Sequence, residues 1–190
     1  MSLASSLSGL SRLLDELECP HALIGGLAAS IHGEPRFTSD VDLAVQVADD
    51  AAAEQLLCSL RQNGYSIIAT VEQERVSCLA TARLEAPGGS ICDLIFATSG
   101  IEPELIASST PIDVPDAGTL PVASPESLLA MKSDDRPQDL GDIRAILLAS
   151  PNLDKTELSR FLALITQRGY HRGQDLPAKW KSLKAKFAIG

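Results

Sequence analysis

The stretch IGGLAASIHGEPRFTSDVDLAV, from Ile24 to Val45, decides the fold of this chain. A Gly-Gly pair follows a short apolar run, and further along Asp40 and Asp42 alternate with Val41 and Leu43. This alternation predicts a β-strand whose two aspartates share one face while the apolar residues point to the other. Aspartate is disfavoured in strands, and two on one face repel each other unless a cation lies between them. The strand therefore favours a metal site over two unrelated surface aspartates.

A second apolar strand carries another acidic residue. The segment SICDLIFA, residues 90–97, follows the turn Pro87-Gly88-Gly89 and contains Asp93 between apolar neighbours. The turn predicts a hairpin that joins this strand to the one before it. A charge inside an otherwise buried strand is unusual unless it is paired or bound to a cation, the alternative being a solvated sheet edge.

The bulk composition fits a soluble globular protein. The chain has 190 residues, of which 45% are hydrophobic and 22% charged, enough for one domain or a compact domain with an appendage. No apolar run approaches the ~20 residues that span a bilayer, and the N-terminus lacks the basic segment of a secretory signal. The four cysteines and three histidines form no metal-like spacing. We therefore expect reduced thiols, a cytoplasmic protein and no membrane partner.

The charge is distributed unevenly along the chain. Residues 1–123 contain five Arg, no Lys and seventeen acidic residues, which gives −12, whereas residues 124–190 carry +3. An acidic half that houses a carboxylate cluster suits a divalent cation better than a polyanion. A phosphate-rich partner would have to meet the C-terminal half.

The periodicity of the whole chain predicts an α+β fold. We expect a catalytic core over 1–122, with a mixed sheet flanked by helices, and a helical C-terminal part over 123–190. The predicted helices are at about 4–18, 25–32, 50–62, 101–108, 124–133, 138–149, 154–167 and 176–187. The predicted strands or extended segments are at about 22–24, 40–47, 65–70, 76–85, 90–97, 110–114 and 119–122.

Two further features are ambiguous from the residues alone. Gly25 and Gly26 at a strand-to-helix turn would let a ligand approach closely, with helix N–H groups facing a phosphate, but such a turn is often mere geometry. Asp139 and Asp142 share one face of a predicted helix, and spacing alone favours an ordinary solvated charged surface.

The motif Gly-Gly, thirteen residues and Asp-Val-Asp resembles the polymerase β-like nucleotidyltransferase superfamily. The fuller string GGLAASIHG-x-x-R-x-T-x-D-V-D-L is most similar to the family that includes the AbiEii-type toxins, and SPESLLAMKSDDRPQDLGDI resembles the same family's later region. The resemblance implies that Asp40, Asp42 and Asp93 bind two Mg²⁺ ions, with Mn²⁺ as a possible substitute. It further implies that the phosphates of a nucleoside triphosphate contact Gly25, Gly26, Arg36, Thr38, Ser39 and Lys132, supported by Asp139 or Asp142.

The implied reaction moves a nucleoside monophosphate onto a hydroxyl acceptor and releases pyrophosphate. The acceptor stays open between a tRNA end, a protein and a small molecule, and the toxin resemblance implies a possible antitoxin partner. A non-catalytic nucleotide- or metal-binding module of the same fold is the alternative, and a metal-dependent nuclease is a third.

The C-terminal segment has two interpretations. Leu176, Trp180, Leu183 and Phe187 form one helical stripe, surrounded by Lys179, Lys181, Lys184 and Lys186 with Arg168 and Arg172 nearby. The stripe predicts a terminal helix docked on the core, and the lysines would alternatively bind an RNA acceptor. We favour docking.

Overall fold

The computed structural model describes residues 2–73, 78–98, 100–132, 137–171 and 173–187, without the side chains of Pro137 and Lys184. Arg172 and the residues Asp134, Asp135 and Arg136 of the segment SPESLLAMKSDDRPQDLGDI lie outside the described residues, as do residue 133 of the predicted helix 124–133 and residues 76–77 of the predicted strand 76–85. The helices within the described ranges are α1 (Leu3–Glu16), α2 (Gly25–His32), α3 (Asp50–Gln62), α4 (Glu102–Ala107), α5 (Pro125–Met131), α6 (Pro137–Ala149), α7 (Lys155–Gln167) and α8 (Leu176–Lys186). The strands are β1 (His21–Leu23), β2 (Asp40–Val45), β3 (Ser66–Gln73), β4 (Cys78–Glu85), β5 (Ile91–Phe96), β6 (Thr110–Val114) and β7 (Gly118–Val122).

The strands form one mixed sheet in the order β3-β4-β5-β2-β1-β7-β6. Strand β2 lies at its centre, parallel to β5 on one side and antiparallel to β1 on the other. Val41, Leu43 and Leu94 are fully buried, as expected for central strands. The predicted α+β class with a mixed sheet and flanking helices is confirmed.

The predicted hairpin joins β4 to β5. The Ala86 N–H donates to the Ser90 carbonyl across the turn, and the two strands pair antiparallel from there. Strand β3 runs to Gln73, three residues beyond the predicted end, because its length follows pairing with β4 and includes two register shifts. The strand propensity of the residues does not by itself predict this pairing.

Capping residues set the starts of several helices. Asp49 accepts from the Ala52 N–H at α3, and Ser124 accepts from the Ser127 N–H at α5, with Pro125 in the first turn. Asp154 accepts from two N–H groups at the start of α7. Each cap satisfies helix donors that would otherwise lack partners, so these boundaries are readable from sequence.

The helices after β7 pack on the core through α2. Helices α5 and α6 both contact α2, α7 contacts α5, and α8 contacts α7. Buried apolar side chains before and after residue 122 belong to one continuous cluster, so the boundary between 1–122 and 123–190 stays a prediction. Within the described residues, every helix is too short or too polar to cross a membrane.

Candidate active site

The sheet brings three aspartates onto one face. Strands β2 and β5 are parallel and in register, which sets Asp42 directly beside Asp93. Asp40, two residues before Asp42, lies on the same face. The intervening Val41 and Cys92 are fully buried on the other face. Because these apolar residues are buried on one face of the sheet, their acidic neighbours must lie on the other face.

An arginine lies between two of these carboxylates. Arg83 on β4 is the register partner of Asp93. Its Nη1 donates to Asp93 Oδ2 at 3.0 Å and its Nη2 to Asp40 Oδ2 at 3.2 Å. Sequence reasoning missed Arg83. The hairpin could have revealed it, because pairing Ala86 with Ser90 and counting back along both strands places residue 83 opposite residue 93.

The environment of Asp42 and Asp93 disfavours their ionised forms and raises the pKa of both carboxyl groups. Burial raises the pKa of Asp42, and the nearby charges of Asp93 and Asp40 raise it further, against the lowering effect of the Gly26 N–H. The pKa of Asp93 is also raised, first by burial and then by Asp40, although Arg83 opposes the change. A cation placed among these groups would relieve both effects.

Two glycines allow other groups to approach this face. Gly25 has a φ of +65°, and a Cβ built there would lie 1.9 Å from Asp42 Oδ2. A Cβ on Gly26 would lie 2.7 Å from Arg36 Nη2 and 3.0 Å from Thr38 Oγ1. The Gly-Gly pair is therefore required by close packing against the predicted site residues and, at Gly25, also by backbone conformation.

A charge network that involves helices α5 and α6 lies next to the Gly-Gly turn. Asp142 on α6 accepts from Arg36 Nε at 2.6 Å and Nη2 at 3.0 Å. Lys132, at the end of α5, places its Nζ 2.6 Å from Asp142 Oδ2 and 3.4 Å from Asp139 Oδ1. Both aspartates are only 3% exposed. The spacing-based interpretation of a solvated helix surface is therefore wrong, because α6 docks against α2 with this face inward.

The network lowers the pKa of Asp142. Burial by itself would raise this pKa, but the hydrogen bonds and charges of Arg36 and Lys132 outweigh it. Asp142 is thus a buried, ionised carboxylate that holds the side chains of Arg36 and Lys132 in place.

The Gly-Gly turn and many of the predicted site residues lie around one cleft with a volume of about 550 Å³, which is in the range of ligand sites. The predicted site residues that line it are Gly25, Gly26, Arg36, Thr38, Ser39, Asp40, Asp42, Lys132 and Asp139, whereas Asp93 and Asp142 are not part of the lining. Asp142 holds two of them from outside the lining. Phe37, which the sequence analysis did not single out, also lines the cleft and is 92% exposed.

The aspartates are not arranged around a cation site as they stand. Within the described ranges, no group of three or more His, Cys, Asp or Glu residues is placed to hold a metal ion. Arg83 occupies one oxygen of Asp40 and one of Asp93, and the Ser39 hydroxyl donates to the other oxygen of Asp40 at 2.9 Å. Oδ2 of Asp42 accepts a hydrogen bond from the Gly26 N–H at 3.5 Å.

Comparison with known proteins defines the class of fold. Neither a protein-family model nor a curated protein matches the sequence. The solution structure of the antibiotic-resistance factor ANT(2'')-Ia matches 89% of this chain and 94% of its own, with 13% identity and a TM-score of 0.54. A crystal structure of ANT(2'')-Ia in complex with adenylyl-2''-tobramycin matches 83% of this chain and 92% of its own, with 17% identity and a TM-score of 0.51.

A further match is an antigenic nucleotidyltransferase-like protein from Paracoccidioides brasiliensis, with 22% identity, 94% of this chain and 92% of that chain covered, and a TM-score of 0.49. The two ANT(2'')-Ia structures establish that this chain shares the fold of that protein. The narrower resemblance to the AbiEii-type family stays a prediction.

Proposed function

We propose that this protein is a metal-dependent nucleotidyltransferase that moves a nucleoside monophosphate from a triphosphate to a hydroxyl acceptor and releases pyrophosphate. One observation carries the proposal: Asp40 and Asp42 line the same cleft as Arg36 and Lys132, and the strand register sets Asp93 beside Asp42 on the same face of the sheet. The acidic groups suit a metal, and the basic groups at the same cleft suit phosphates.

The residues present fit a divalent cation by the chemistry of the donor set. Asp40, Asp42 and Asp93 supply hard oxygen ligands of the kind that Mg²⁺ prefers, and Mn²⁺ accepts the same set. When bound, one or two such ions would neutralise phosphate charge and lower the pKa of the acceptor hydroxyl. Arg83 currently balances part of the charge on these carboxylates.

The chain's own residues would position the triphosphate. Gly26 lies in the first turn of α2, and the absence of its side chain leaves room for Arg36 and Thr38 at the cleft. Asp142 fixes the direction of the Arg36 and Lys132 side chains, so both positively charged groups are ordered before a ligand binds. Catalysis of this kind depends on positioning and charge stabilisation and needs no covalent nucleophile.

Phe37 offers a surface for a planar group. It is a large apolar side chain at the cleft that is almost entirely in water, and the side chain of its neighbour Arg36 is held by Asp142. Stacking of a nucleobase on this ring would bury apolar area and place the base at the cleft mouth.

The acceptor stays open between a tRNA end, a protein hydroxyl and a small molecule. A small acceptor draws support from ANT(2'')-Ia, whose complex contains an adenylyl-tobramycin. A toxin with a cognate antitoxin draws support only from the AbiEii-type resemblance.

A non-catalytic nucleotide-binding module is the second candidate. The observation that favours it is the ion pairing of Arg83 with Asp40 and Asp93, which occupies carboxylate oxygens that a metal would need. Such a module would bind nucleotide at Arg36 and Lys132 and transfer nothing.

Transfer can be tested with each of the four α-labelled nucleoside triphosphates, Mg²⁺, and three acceptor pools: total tRNA, cell protein and aminoglycosides. The proposed function predicts label in one pool, together with pyrophosphate, and loss of both in Asp42→Asn and Asp93→Asn. Nucleotide binding without labelled product from any pool would favour the non-catalytic module.

A further inference from the structure

The ion pair of Arg83 with two of the three aspartates is the feature that the proposed reaction does not use. Arg83, Asp93 and Asp42 are register partners on the three neighbouring strands β4, β5 and β2. The guanidinium of Arg83 forks between Asp93 and Asp40, at 3.0 and 3.2 Å. The three side chains are partly exposed, Arg83 at 44%, Asp40 at 33% and Asp93 at 24%. Solvent and ions can therefore reach the ion pair.

Local electrostatics give this arginine a function. Three carboxylates on one face repel one another, and a guanidinium, which stays charged at all accessible pH values, offsets part of that repulsion. A divalent cation would offset it by binding the same oxygens. Two positive groups a few ångströms apart repel each other, so full occupancy by both is unfavourable.

We propose that Arg83 is an internal counter-cation that competes with the divalent metal for Asp40 and Asp93. Arg83 keeps the carboxylates positioned when no metal is bound, and metal binding displaces its guanidinium from both of them. Arg83 is thus a positioning residue, and it sets a threshold concentration for metal. The inference rests on the proposed function only in assigning a metal to the three aspartates.

The hydrogen bonds around Asp40 support competition over simultaneous binding. Oδ2 of Asp40 accepts from Arg83 and Oδ1 accepts from the Ser39 hydroxyl. Both oxygens of this carboxylate therefore already have one donor each, and a metal that binds either oxygen must approach beside the guanidinium or the hydroxyl. The hydroxyl can rotate away, but the guanidinium must move as a unit.

The test measures Mn²⁺ binding to the nucleotide-free protein by electron paramagnetic resonance of the free ion. Arg83→Gln removes the competing charge, and we expect it to bind Mn²⁺ about two- to fivefold more tightly than wild type, as for loss of a partly exposed ion pair. Arg61→Gln is the matched control, because Arg61 is an exposed arginine in the last turn of α3, outside the cleft lining. It changes the net charge equally and should leave the affinity unchanged.

Three outcomes would overturn the inference. One is Mn²⁺ affinity in Arg83→Gln that is equal to or weaker than in Arg61→Gln. The second is unaltered Mn²⁺ binding in Asp93→Asn, which would place the ion elsewhere. The third is no Mn²⁺ binding in either wild type or Arg83→Gln.

A measurement on the wild-type chain keeps the test decisive if Arg83→Gln does not fold. The Arg83 Nε–H resonance, assigned by its absence in Arg83→Lys, should shift when Mg²⁺ is added at a concentration that displaces bound Mn²⁺. An unchanged resonance would mean that metal and arginine do not exchange. Neither readout uses nucleotidyl transfer, so a protein that shows the exchange without transferring label would refute the proposed function and leave this inference standing.

Discussion

Arg36 and Asp142 are 106 residues apart in sequence and are joined by two hydrogen bonds, Nε to Oδ1 at 2.6 Å and Nη2 to Oδ2 at 3.0 Å. The pair connects the loop before β2 to helix α6, and Lys132 binds the same carboxylate from α5. A single buried aspartate therefore links the glycine-bearing core to the helices that follow β7.

Removing this carboxylate should destabilise the fold. In Asp142→Ala, Arg36 and Lys132 lose their shared partner in a buried position, and we expect the free energy of unfolding to fall by about 3–5 kcal/mol. Urea denaturation checks this value. Asp113→Ala, at an exposed position of β6, is the control and should change stability by less than about 0.5 kcal/mol. An equal effect of the two substitutions would show that the network contributes nothing to stability.

The same residue predicts a pH dependence. The folded-state pKa of Asp142 lies below its ordinary value of 3.8, so the folded protein holds this proton less tightly than the unfolded chain. Its stabilising contribution is therefore complete above about pH 5 and is lost as the pH falls through 3.8 toward the folded-state pKa. Unfolding free energies of wild type and Asp142→Asn between pH 6 and 3 should converge as the pH falls. Parallel curves would contradict the assignment.

Substitution of Gly25 should damage the site as well as the backbone. Gly25→Ala introduces a Cβ 1.9 Å from Asp42 Oδ2 at a φ of +65°. Gly118→Ala is a matched control, because its φ is +87° and nothing lies within 4 Å of its Cβ. In both variants, backbone strain should lower the free energy of unfolding by roughly 1–2 kcal/mol. Only Gly25→Ala should also abolish nucleotide-dependent stabilisation in thermal melts, and retention of that stabilisation would contradict a close approach of Asp42 to the Gly-Gly turn.

Asp42 should be functional without being stabilising. The raised pKa of Asp42 means that its ionised form is disfavoured in the folded protein, first by burial. Asp42→Asn should therefore leave metal-free stability equal or slightly higher, and remove the rise in melting temperature produced by Mg²⁺ and nucleotide. Thermal melts with and without these ligands check both parts. A variant that melts much earlier without ligand would make Asp42 a structural residue.

Helix α8 should stabilise the protein by packing. Leu176 and Leu183 are buried against the core, whereas Lys181 and Lys186 are exposed. Leu183→Ala should lower the free energy of unfolding by about 2–5 kcal/mol, and the double variant Lys181→Gln and Lys186→Gln by less than about 0.5 kcal/mol. Salt-sensitive tRNA binding that disappears in the double lysine variant would favour the alternative in which α8 binds an RNA acceptor.

The sequence by itself determined the features that depend on neighbouring residues. The alternation after Ser39 fixed the shared face of Asp40 and Asp42, and Ser124-Pro125 fixed the start of α5. These features are local because side-chain direction in a strand and capping of a helix involve residues only a few positions apart.

Only the tertiary structure decided how distant segments meet. The parallel register of β2 and β5 brings Asp93 beside Asp42. The docking of α6 on α2 makes Asp142, which helix spacing alone would leave on the surface, the partner of Arg36 and Lys132. Arg83 acquires its second carboxylate partner, Asp40, in the same way. These contacts join segments many residues apart, and their geometry follows from the packing of one common core, which no local pattern encodes.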